Sequence, residues 1–156
     1  MPDINATVQA ARTAVPFNPV RTNQFGGEVQ VLISTVTIPA AGGPIIGEAI
    51  TWGTLPQGAR LLPISQIYNS AGAASSTINL GDRAAPARYL AATAVTSAGT
   101  IANVGQPAYA NGAVPEVTVL TPGVATDQSE LRSVVAGAAL QAGQTLTLVA
   151  YYVAGN

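Results

Sequence analysis

Short runs of alternating apolar residues, each stopped within a few positions by glycine, proline or asparagine, recur along this chain. The clearest is Gln144–Val153, QTLTLVAYYV. There Leu146, Leu148, Ala150 and Tyr152 face one way and Thr145, Thr147, Val149 and Tyr151 the other, the two-residue period of a strand with unlike faces. Further runs lie at Glu28–Ile38, Ile45–Trp52, around Leu62, Ile64 and Ile67, and at Thr77–Leu80, Thr100–Val104 and Glu116–Leu120. Turn formers separate them: Pro39–Pro44, Leu55–Gly58, Asn69–Ser75, Gly105–Pro115 and Thr121–Gly123. About eight short strands without strand–helix alternation predict an all-β, antiparallel sandwich or barrel rather than a parallel sheet.

Three places need a finer reading. In Glu28–Ile38 the residues Val29, Val31 and Ile33 share a face, then the parity passes to Val36 and Ile38, which predicts a bulge near Ser34-Thr35. After Thr77–Leu80, Asp82 is placed to cap one short surface helix over Ala84–Ala91. From Asp127 to Gln144 two readings are open. Leu131, Val134, Val135, Ala138 and Ala139 fit helical spacing behind a capping pair, Asp127 and Glu130. The same residues fit a strand over Ser129–Ala136, a turn to Gly143 and a strand from Gln144. Gly137 in mid-segment favours the strand pair. The single Trp52 reads as a packing residue.

Residues 1–27 lack sustained periodicity and are broken by Pro2, Pro16 and Pro19, yet they hold both phenylalanines of the chain, Phe17 and Phe25. They read as an extended N-terminal arm, with residues 28–156 as the sandwich domain. The arm either packs on its own domain or reaches a neighbouring subunit; Arg12, Phe17, Arg21 and Phe25 are the candidate partner-binding residues.

Only 8% of the 156 residues are charged, against roughly 25% in an ordinary soluble domain, so part of the surface is expected to be covered by partners. The six cations are all arginine (Arg12, Arg21, Arg60, Arg83, Arg88, Arg132), and Lys, His and Cys are absent. That removes disulfides, thiolate or imidazole metal sites, Ser-His-Asp and Cys-His chemistry, and lysine Schiff bases. A net charge of -1 offers no field for nucleic acid or an anionic membrane. The N-terminus lacks the pattern of a secretory signal, and no apolar run approaches the ~20 residues of a membrane span. Seven carboxylates remain for any catalysis (Asp3, Glu28, Glu48, Asp82, Glu116, Asp127, Glu130), scattered singly except for Asp127 and Glu130. A turn or capping pair is the simpler reading of those two than a glycosidase pair. Asn79 and Asp82 are too few for a Ca²⁺ site. No catalytic residue, metal or cofactor is expected.

Two stretches carry a resemblance. The first is LPQGARLLPISQIYNSAGAASSTINLGDRAAPARYLAATAVTSAGT: a Leu-Pro-x-Gly-Ala turn, a strand, a small-residue loop, a second strand ending in Asn-Leu-Gly-Asp, then Ala-Arg-Tyr-Leu-Ala-Ala. The second is VVAGAALQAGQTLTLVAYYV. Together, over about half the chain, they resemble capsid decoration (cement) proteins of tailed bacteriophages. The resemblance implies a jelly-roll-like β-sandwich on the capsid exterior of a virion, synthesised in the host cytoplasm. It implies as partners the major capsid protein and further copies of itself, as a homodimer or homotrimer, with no catalytic residues. A tail or head-fibre component is a second reading. A carbohydrate- or receptor-binding sandwich is a third, and would need an exposed aromatic patch such as Trp52 with Tyr68 or Tyr109.

Overall fold

The computed structural model describes residues 27–40, 43–104 and 116–154, with 100–104 as backbone. Two antiparallel sheets face each other, and no helix occurs among the described residues. The strands are β1 (Val29–Thr37), β2 (Ala49–Thr54), β3 (Arg60–Leu61), β4 (Ser65–Asn69), β5 (Thr77–Leu80), β6 (Leu90–Ala94), β7 (Gly99–Val104), β8 (Glu130–Ala136) and β9 (Thr145–Val153). The first sheet runs β1-β9-β4-β7, with β3 also on β9; the second runs β2-β8-β5-β6.

The core lies between the sheets and follows the two-residue period. β8 contributes Leu131 and Val135, and β9 contributes Leu146, Leu148 and Ala150, each at most 1% exposed. Ile67 from β4 and Ile78 and Leu80 from β5 meet them. Asn69, Gln144 and Ser65, drawn into this layer, find partners, as burial demands. Asn69 donates to the carbonyl of Ser97 at 2.6 Å and Gln144 to that of Val95 at 3.0 Å, which ties the β6–β7 turn to the sandwich. The Ser65 hydroxyl donates to Leu62 O and accepts from Tyr151 N–H, bridging β4 to β9.

The strand pair over 129–153 is present, with β8 and β9 in different sheets. Four other expectations are corrected. β1 pairs with β9 without a break from Val29↔Val153 to Thr37↔Thr145, so there is no bulge at Ser34-Thr35. Leu32, Val36 and Ile38 face the core, and Val29, Val31 and Ile33 face out for the whole strand. The irregularity is instead in β2, where Thr51 pairs with Arg132 and Gly53 with Leu131, leaving Trp52 as the extra residue.

The helix over Ala84–Ala91 is absent. Pro86 lacks the N–H a helix would use and disfavours helical geometry at Ala85. Asp82 does cap, but it caps a turn, accepting from Ala85 N–H at 2.7 Å, and β6 starts at Leu90. Pro63 splits the expected strand around Leu62–Ile67 into β3 and β4 and leaves Ile64 exposed. Glu116–Leu120 is extended but forms no strand; buried Val117 exchanges backbone hydrogen bonds with Gly58 and Ala59 instead.

Candidate interaction surfaces

The register of β1 on β9 decides what the outer face of the first sheet presents. Opposed residues of an antiparallel pair share a face, so Val29 lies beside Val153, Val31 beside Tyr151, Ile33 beside Val149 and Thr35 beside Thr147. β4 continues these rows with Gln66 beside Val149 and Tyr68 beside Thr147. Val29, Val31 and Ile33 are 56%, 50% and 64% exposed, and Tyr68 is 43% exposed. Polar groups on the face are tied to each other: the Thr35 and Thr147 hydroxyls share a hydrogen bond of 2.9 Å, and Tyr68 donates to Gln66. No charged residue occurs in β1, β4, β7 or β9. The result is a largely apolar face, with Arg60 of β3 opposed to Val153 at one end and paired there with Glu116, and it is bounded by β1, an edge strand whose far side has no strand partner among the described residues.

The second sheet is unlike the first. Arg83 and Glu130 form an ion pair, Arg132 approaches the same carboxylate at 4.0 Å, and Thr51 donates to it at 3.3 Å. Next to this, the buried Asp82 carboxylate is paired with Arg88 while capping Ala85. These groups close the Gly81–Tyr89 turn onto β8, helped by backbone hydrogen bonds between Gly81 and Arg132 in both directions at 2.9 Å.

Several carboxylates among the described residues are therefore already engaged. Asp127 and Glu130 do not act together: Asp127 is buried and accepts from the N–H and hydroxyl of Ser129, while Glu130 turns to Arg83. Asn79, weighed above as a cation ligand, accepts from Val134 N–H at 2.7 Å where β5 slips register against β6. Glu116 pairs with Arg60. Among the described residues no group of three or more Asp or Glu is placed to hold a metal ion. A shallow, mostly apolar depression lined by Thr54, Leu55, Pro56, Leu120, Pro122 and Ser129 contains no charged group.

Arg12, Phe17, Arg21 and Phe25 lie outside the described residues, as do the rest of the expected arm before Gly27 and Tyr109. Trp52 is 4% exposed and its indole N–H donates to Ser133 Oγ at 2.8 Å, so it is no platform for a sugar ring. The sequence puts Val29, Val31 and Ile33 on one face, and the register against β9 shows that this face points outward.

No family model and no curated protein matches the chain. Among solved structures it is similar to a chain of "Cyanophage Pam1 capsid asymmetric unit", with a TM-score of 0.61 and 25% identity over 99% of both chains.

Proposed function

We propose that this chain is a non-enzymatic structural protein of a phage virion, which binds the outside of the capsid and stabilises it by bridging adjacent major capsid protein subunits. The observation that carries this reading is the likeness to a chain of a cyanophage capsid, which runs the length of both chains. The strand order supports a jelly roll within it: apart from β3, eight strands divide equally between sheets ordered β1-β9-β4-β7 and β2-β8-β5-β6. The chemistry is consistent with a contact protein. Asp82, Glu116 and Glu130 are held by arginines, and one broad sheet face is largely apolar. Such a face is recognised by shape and burial, and repetition over a symmetric shell multiplies modest contacts. The protein acts as a homodimer or homotrimer, and residues 1–27 contribute to the contact through Arg12, Phe17, Arg21 and Phe25.

The test is cosedimentation of the purified protein with shells of its own phage from which it has been stripped. The full chain is expected to bind saturably. A chain lacking residues 1–25 is expected to keep its β-sheet circular dichroism and lose at least about tenfold in binding, the weight of one contact of roughly 1.4 kcal/mol. Failure of the full chain to bind would overturn the reading.

A further inference from the structure

The outer face of β1, β9 and β4 has no cover among the described residues, although Val29, Val31 and Ile33 stand on it at least half exposed. We propose that its cover is the chain's own residues 15–25, VPFNPVRTNQF, laid back across β1 and β9 from Gly26-Gly27.

Four observations converge on this occupant. The first is position: the described chain begins at Gly27, two residues before Val29, which is itself part of the face. The second is composition, since this segment holds Val15 and Val20 and both phenylalanines of the protein. The third is charge. The Arg60 charge at the end of the face is already paired with Glu116, so an occupant is recognised chiefly by apolar contact, and the segment's aromatic and aliphatic side chains supply it. The fourth is length: extended, residues 15–25 span about 36 Å, against about 30 Å for the nine residues of β1.

Chemistry sets the manner of docking. Gly26-Gly27 permits the reversal that brings the segment over the face. Pro16 and Pro19 lack the N–H of a regular ladder, so the segment packs through side chains rather than as another strand. The tether favours the same chain over a neighbouring copy, because a linker this short holds the segment at an effective concentration of order millimolar. Phe17 and Phe25 then become part of the domain's outer surface, and together with Arg12, Arg21 and the rest of the face they form the surface offered to a partner. The inference concerns the isolated protein and stands or falls independently of the virion role.

The test uses the full chain, whose lack of native cysteine allows a single spin label at Asn18→Cys. In a methyl-labelled sample the label is expected to broaden the Val29, Val31 and Ile33 methyl signals several-fold more than that of Val134, on the opposite sheet. A second sample mixes spin-labelled protein lacking isotope with isotope-labelled protein lacking the spin label, and is expected to show no broadening. Broadening in the mixed sample would assign the cover to a neighbouring copy and overturn the proposal. Absence of broadening in both would overturn it by leaving the face to a different partner.

Discussion

The most direct probe of the sandwich is the bond that joins β2 to β8 across the Trp52 bulge. Trp52 and Ser133 are both buried, and the indole N–H donates to Ser133 Oγ at 2.8 Å. Trp52→Phe removes the donor and leaves the serine hydroxyl in the core without it, at a cost of about 1 kcal/mol. The smaller ring leaves unfilled volume worth about 1 kcal/mol more. The sum, about 2 kcal/mol, corresponds to a fall in Tm of ~4–8 °C for a chain of this size. Ser133→Ala strands the indole N–H and costs about 1–2 kcal/mol. The double variant strands neither group, so it should fall short of the sum by about 1 kcal/mol. Urea titrations followed by circular dichroism give all four stabilities without relying on the tryptophan signal. Additive effects, or a Trp52→Phe variant within about 0.5 kcal/mol of the parent, would refute the buried bond and return Trp52 to the surface.

Two other substitutions probe the turns. Asp82→Ala takes away the cap on Ala85 and strands Arg88 beside a buried site, and is expected to cost about 2–3 kcal/mol in thermal or urea unfolding. Gly137→Ala places a methyl group against the Ser75 carbonyl at a φ of 75°, and is expected to cost about 2 kcal/mol or more, with a Tm ~4–8 °C lower in calorimetry.

Legibility in the sequence tracked how local the deciding physics was. β5 was readable to the residue, because Thr77–Leu80 is bounded by Ser75-Ser76 on one side and Gly81-Asp82 on the other. β9 was readable with its faces, because unlike residues alternate strictly along it. The helix expected over Ala84–Ala91 is ruled out by two local facts, Pro86 and the reach of the Asp82 carboxylate to Ala85. In β1 the strand was legible and the absence of a bulge was not, for a reason no local pattern contains. Its Val29, Val31 and Ile33 are as apolar as a core face, and only the register against β9 says which side of the sheet they occupy. The candidate interaction face was therefore hidden, since a strand apolar on its outer side reads as a strand facing the wrong way. The charged cluster was half visible: the Asp82–Arg88 contact is local, while Arg83 meets Glu130 only after β8 folds beside β5.

Copy number per particle tests the central claim most directly, by quantitative mass spectrometry of purified virions against the major capsid protein. A protein that bridges capsid subunits over the shell is expected in numbers comparable to the capsid protein itself. A few to a few dozen copies would contradict that role and move the chain to a tail or fibre, and complete absence would contradict the virion reading altogether.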